Sequence, residues 1–296
     1  MPLIVDPSAP LISPPETITS PDGWFTAVID EQWAGVYLAV DYTAGTPLTD
    51  AALVRKVEIT RQDPGAAAPV GVRSGNLAWA IEGVGQAYDH EAPLGVAVAY
   101  LARPQYADGT WGPESALGVV VPAPLPGQPK DLWLKSLETP GLSLRVMYGT
   151  AQGTTSSARQ DTTARTGTPY TAVAYDTAAA PAESVAVDVL TEDIEQFRLM
   201  IRSGVLLAQV RPGYQIPDRY FVPGDVTEKP TGKLGSTGGY TVTFDIVPIE
   251  RPDSAGQPMR APAWSYDIMA ASFATYDAVT ASFSTYAALA TNGAVT

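Results

Sequence analysis

Few side chains in this chain have the types that chemistry needs, and their spacing works against it. His90 is the single histidine among 296 residues, and cysteine is absent. A zinc site built on His or Cys therefore has no ligand set. Disulfides and thiolate catalysis are likewise closed to the chain. A Ser-His-Asp arrangement would have to use His90, which lies in Tyr88-Asp89-His90-Glu91-Ala92-Pro93, a segment that reads as a surface turn before a strand. No Gly-x-Ser-x-Gly elbow accompanies it. The adjacent acids Asp30/Glu31 and Glu192/Asp193 have the residue types of a glycosidase pair. Neighbours on a strand point to opposite faces, and the second pair falls in the first turn of a predicted helix, where it complements the dipole. Gly238-Gly239 lacks the strand–loop–helix setting of a phosphate cradle. The expectation is a protein with no enzyme activity, no cofactor and no metal.

Composition points the same way. The formal net charge of −13 repels a phosphate backbone, and the 18 Lys and Arg form no basic run, so no sequence-specific nucleic-acid binding is expected. Twenty-seven prolines and 26 glycines separate short apolar runs. These runs are too short to span a bilayer, and the pattern favours many short strands over long helices.

Five regions follow along the chain. Residues 1–22 form a Pro-rich arm in which Leu3, Ile4, Val5, Leu11 and Ile12 are apolar enough to lie along a neighbour. Residues 23–121 carry period-two runs (Val36, Leu38, Val40; Val57, Ile59; Val96, Val98, Tyr100). Turn signals at Gly45-Thr46-Pro47, Asp63-Pro64-Gly65, Ser74-Gly75-Asn76 and Asp108-Gly109 separate them. That pattern predicts an immunoglobulin-like or fibronectin type III sandwich, with Trp33 and Trp79 in its core. Residues 122–129 read as a semi-rigid proline linker. Residues 130–255 predict a second β unit, a barrel or sandwich with one helix capped by Thr191 and running to about Ser203. Ile194, Phe197, Met200 and Ile201 mark that helix's buried face. Within this unit, 149–169 is rich in Gly, Ser and Thr and reads as a long loop, functional or disordered, containing Arg159 and Arg165.

Residues 256–296 form an aromatic tail. Ala271-Ser272-Phe273-Ala274-Thr275-Tyr276 returns ten residues later as Ala281-Ser282-Phe283-Ser284-Thr285-Tyr286, and Trp264-Ser265-Tyr266 begins a degenerate earlier copy. From 261 onward the only charges are Asp267 and Asp277. Ten residues are not a whole number of helical turns, so short helices capped by Thr275 and Thr285 fit better than one long helix. Asn292-Gly293 should end the last. Trp264, Phe273, Tyr276, Phe283, Tyr286 and Leu289 need a surface to bury against, which makes them, with Arg159 and Arg165, the candidates for contact between subunits. Folding back onto the chain's own domain is the alternative.

The string Asn76-Leu77-Ala78-Trp79, followed by Ala87-Tyr88-Asp89-His90-Glu91-Ala92-Pro93-Leu94-Gly95, resembles minor tail proteins of long-tailed phages that infect actinobacteria. Asp193-Ile194-Glu195-Gln196-Phe197, residues 206–212 and 220–226, and Val247-Pro248-Ile249-Glu250-Arg251-Pro252 look similar to the same family, as do the aromatic repeats. The resemblance implies that the second unit has the tail-tube or distal-tail fold, a β-barrel with a flanking helix that assembles into rings. The sandwich placed before it departs from the usual distal-tail layout.

The expected function is thus a structural subunit of a phage tail tip, forming a six-fold homo-oligomeric ring. It would link the tube to tape-measure, hub or further minor tail proteins, in a virion tail assembled in the host cytoplasm. The alternative is a module that binds a cell-surface glycan or receptor, with the sandwich as reader.

Overall fold

A computed structural model describes residues 16–126, 130–155, 158–176, 182–214, 216–232, 238–262 and 264–294. The chain is mainly β, with several sheets and a C-terminal run of short helices. Its first part contains β1 (Thr17–Thr19), β2 (Phe25–Asp30), β3 (Gly35–Asp41), β4 (Val54–Gln62), β5 (Val70–Gly71), β6 (Ala78–Trp79), β7 (Val84–Asp89), β8 (Ala97–Tyr106) and β9 (Ser115–Val120). One sheet has the order β1-β2-β3-β7 and the other β5-β4-β8-β9, with β6 also on β4. Phe25, Leu38, Tyr42, Ile59, Tyr100 and Val119 fill the space between them. The alternation along β3 and β4 supplies this core, since every second side chain points inward. Trp79 departs from expectation. It is 75% exposed at the end of the two-residue β6, where the Lys56 ammonium lies 5.3 Å from its ring centre. So short a strand at the sheet margin has no second layer above it, so its indole cannot be a core residue.

Only the end of the N-terminal arm is described, and there Thr17–Thr19 pairs with β2 of its own sheet. The rest of the arm, and the linker beyond 126, lie outside the described residues.

The second part comprises β10 (Leu132–Ser136), β11 (Leu144–Thr155), β12 (Gln160–Ala164), β13 (Thr171–Tyr175), β14 (Ala182–Leu190), α1 (Ile194–Met200), β15 (Leu206–Gln209), β16 (Arg219–Thr231) and β17 (Gly239–Ile249). Six of these strands close in the order β10-β11-β14-β17-β16-β15. Their core includes Leu134, Val187, Phe221 and Phe244, and α1 packs Ile194, Phe197 and Met200 into it. The helix is shorter than predicted. Thr191 gives its hydroxyl to the Gly238 carbonyl and so does not cap α1, and Asp193 stands at the cap position with its carboxylate turned to Lys130 Nζ instead of the helix amides. The expected 149–169 loop is also corrected. β11 continues to Thr155, and β12 and β13 form a separate two-stranded hairpin. Thr-rich sequence looked like loop by composition, but β-branched residues suit an extended backbone. Between Tyr148 and Ala151 the pairing of β11 with β14 shifts register. Gly149 occupies that shift, and a β-carbon there would lie 3.0 Å from the Ala186 carbonyl.

The tail forms three short helices, α2 (Tyr266–Ser272), α3 (Tyr276–Ser282) and α4 (Tyr286–Ala290). Ser265, Thr275 and Thr285 accept the amide hydrogens of Ile268, Ala278 and Ala288 at 3.3, 3.2 and 3.0 Å. Phe273 and Phe283 take extended backbone that ends each of the first two helices. Asn292 and Gly293 both have positive φ, and the Gly293 amide donates to the Ala288 carbonyl at 2.7 Å, stopping α4 as the sequence predicts.

This tail folds back on its own chain. Met259, Ala261 and Ala294 pack on Val28, Tyr37, Ala39 and Tyr88, the outer face of β2, β3 and β7. Part of that sheet's outer face is therefore buried as well as its inner one. Gly35 permits the arrangement, because a β-carbon there would sit 2.2 Å from the Tyr88 hydroxyl, which donates to Asp30 Oδ2 at 3.1 Å. A 1–260 truncation is expected to stay folded but to melt several degrees lower and to bind a hydrophobic dye. Both changes would be read by calorimetry and fluorescence beside the full chain.

Candidate functional site

The segment after β7 is where the two β units meet. Asp89 is 0%, His90 5% and Glu91 2% exposed, although these residue types are ordinarily solvated. β10 and β15 explain the burial. Leu132 and Leu134 face the barrel core, while Trp133 joins the core of the first unit. Lys135, on the same face as Trp133, is fully buried and donates from Nζ to the carbonyls of Ala34 at 2.7 Å and His90 at 2.9 Å. From β15, Gln209 Nε2 donates to the Glu91 and Ala92 carbonyls at 3.2 and 3.0 Å. His90 Nε2 lies 2.8 Å from Ser143 Oγ, which also accepts the Ser136 amide.

Each buried charge has partners. Asp89 Oδ2 accepts Arg61 Nη1 at 2.6 Å and the Tyr100 hydroxyl at 2.8 Å, and its Oδ1 accepts the Glu91 amide. Glu91 takes Arg73 Nη2 at 3.0 Å and Arg251 Nη2 at 2.9 Å. Arg251 also donates to the Gly71 carbonyl, and Arg73 to the carbonyls of Pro252 and Asp253. The chain leaving β17 is thus tied back to the first unit.

The electrostatics follow from burial. Burial pushes Asp89 upward, but Arg61 and the Tyr100 hydroxyl outweigh it and hold the carboxyl below its ordinary value. Burial, with the neighbouring Lys135, drives His90 well below 6.5. Nδ1 has no partner in the structure, so a second proton there would find no acceptor. Burial lowers Lys135 from 10.5 to about 7, against the opposing pull of Asp89. A neutral amine still has two N–H groups, which matches the two carbonyls it meets. At its edge Arg61, Glu91 and Gln209 border an open groove of about 310 Å³, but most of the cluster's polar groups are spent on one another. It is a structural junction. His90 is therefore corrected from a surface turn residue to a buried one, because the second unit closes over the turn.

The interface candidates lie elsewhere. Arg159 and Arg165 belong to the β12–β13 hairpin, and every described side chain from 158 to 174 is exposed. Trp264, Phe273, Phe283 and Leu289 are half-buried and brought together within the tail. Trp264 Nε1 donates to the Leu289 carbonyl at 2.6 Å, and Phe283 lies 5.9 Å from Trp264 and 5.7 Å from Phe273, ring centre to ring centre. Tyr276 is 74% exposed, its hydroxyl 3.1 Å from that of Tyr266. The side chain of Tyr286 lies outside the described residues. Trp264, Tyr266, Tyr276, Phe283 and Leu289 border an open groove of about 600 Å³ between α2, α3 and α4, and Phe273 lies outside its lining. Among the described residues, no helix is long and apolar enough to cross a membrane.

Comparison with known protein families and with curated proteins finds no match to this chain.

The junction makes two predictions. Asp89→Ala leaves Arg61 with Asp63 as its one carboxylate partner and takes the acceptor from the Tyr100 hydroxyl, and should lower stability by about 1.5–3 kcal/mol, read as a fall in the urea midpoint. The second concerns pH. Below 6.5 an unfolded His90 binds a proton that the folded one refuses, so stability should fall with pH by up to about 1.4 kcal/mol per unit. Above about 7 an unfolded Lys135 keeps a proton that the folded one releases, so stability should rise towards alkaline pH. Urea titrations from about pH 5.5 to about pH 9 should show both limbs. His90→Asn should flatten the lower limb and Lys135→Met the upper.

Proposed function

We propose that this chain is a non-enzymatic structural subunit of a phage tail tip that assembles with copies of itself into a ring, six-fold by expectation. The observation that carries the reading is the β12–β13 hairpin. It is a two-stranded sheet belonging to neither the barrel nor the first unit, with its described side chains in solvent. An isolated hairpin is at best marginally stable in water, and both its edges offer unpaired backbone groups. A neighbouring subunit would supply what it lacks. The hairpin carries Arg159 and Arg165 on a chain of net charge −13, so an acidic surface of a second copy complements it.

The order of parts supports the same reading. Strands β2-β3-β7 against β9-β8-β4-β5 fit a fibronectin type III module with β1 as an added edge strand. The closed six-stranded unit with its single helix fits the tail-tube or distal-tail fold that the resemblance implies. The groove edged by Tyr276 and Phe283 is the second proposed contact, towards the tube, tape-measure, hub or other minor tail proteins. In this reading the ring sits in the virion tail and is assembled in the host cytoplasm.

Replacing residues 158–176 by a short Gly-Ser link tests the reading, since the barrel's own strands are untouched. Sedimentation and negative-stain microscopy of the full chain should give rings, and the variant should sediment as a monomer with an unchanged melting temperature. Rings that persist without the hairpin, or a full chain that stays monomeric at every concentration, would defeat the proposal.

A further inference from the structure

A second opening lies across the outer face of the first sheet, between it and the tail, with a volume of about 890 Å³. That size is within the range of small-molecule and oligosaccharide sites. Its floor is made of small or short side chains on β2, β3 and β7, among them Thr26, Ala39 and Gly85. Two indoles border it. Trp24 is held in place, its Nε1 donating to the Thr46 carbonyl at 2.7 Å and its ring edge-on to Tyr42. Trp79 and Ile81 stand 75% and 68% exposed.

Polar groups lie between these apolar ones. Gln86 reaches the opening from β7 and Glu82 from the turn before it, and neither side chain has a hydrogen-bond partner among the described residues. Asp41 lies near them, its carboxylate already accepting from Thr43.

We propose that this cleft binds an uncharged or N-acylated pyranose oligosaccharide. A pyranose ring offers an apolar C–H face to an indole and hydroxyls to carboxylates and amides. The cleft presents both kinds of group side by side on a rigid sheet. The core of a protein interface is depleted in charged residues, whereas this floor has unpaired Glu82 and Gln86 beside its indoles. The acids, on a chain of net charge −13, exclude polyanionic polymers. The site stands apart from the hairpin, so it holds whether or not the chain forms rings.

Titration of the full chain with N-acetylglucosamine tetramer and with maltotetraose, read by calorimetry and by tryptophan fluorescence, tests the assignment. Binding of at least one sugar, weakened about tenfold or more by Trp79→Ala and by Gln86→Ala with unchanged melting curves, is the expected result. Trp111→Ala, which alters an exposed indole outside the cleft, should leave binding intact. No heat or fluorescence change with either sugar would overturn the proposal. So would binding that survives Trp79→Ala, or self-association that Trp79→Ala abolishes, which would make a second copy the occupant.

Discussion

Asp89, His90, Glu91 and Lys135 are polar or charged, yet all four lie where water cannot reach them, because two β units close over them from opposite sides. Removing one partner of such a set leaves a charge or donor stranded in a medium of low polarity, which is far more costly than the set is stabilising. The relative placement of the two units is therefore specified by hydrogen-bond geometry as well as by apolar area. Arg61, Arg73 and Arg251 approach from β4, from the turn after β5 and from the strand exit after β17, so three distant stretches must be in place together. The proline-rich connection between the units limits the reach of the chain, but the junction fixes the orientation.

With that body fixed, the surfaces left over acquire meaning. The tail gives up Met259, Ala261 and Ala294 to cover Tyr37 and Tyr88 and keeps Tyr266 and Tyr276 in solvent. One face of the tail thus serves the fold and the other meets solvent. Among the described residues, the hairpin's side chains join neither core. The indole cleft exists only because the tail forms one of its walls. Apolar and β-rich surfaces of this kind, on a rigid body, are those that assembly and recognition use.

Much of the fold was legible in the sequence. Period-two runs located most of the strands, since alternation follows directly from the pleat, and Gly or Pro marked the turns. The ten-residue repeat pointed to short helices capped by Thr275 and Thr285, because capping is a contact within four residues; the structure adds Ser265 as the cap of α2. What could not be read was which strands have a second layer over their outer face. Trp79 looked like a core residue because an indole is large and apolar, but its two-residue strand sits at a sheet margin. His90 looked like a surface residue because it lies in a polar turn. A local hint of burial was Lys135 directly after the apolar run Leu132-Trp133-Leu134, which alternation alone cannot assign to one core or two.

By itself the sequence determined that, with no cysteine, disulfide and thiolate chemistry are closed to this chain, and that its one histidine cannot supply a metal set built on several imidazoles. It also determined the local periods that make strands and capped turns, which depend only on neighbours along the chain. Tertiary structure alone decided that the polar turn is buried, that the Thr-rich segment is an exposed hairpin, and that the tail lies on its own sheet. The first and the last of these depend on surfaces brought together from more than a hundred residues apart, as Lys135 meeting Ala34 and Gln209 meeting Glu91 illustrate. Such pairings have no local signature, because burial is a property of the assembled layers and not of the segment.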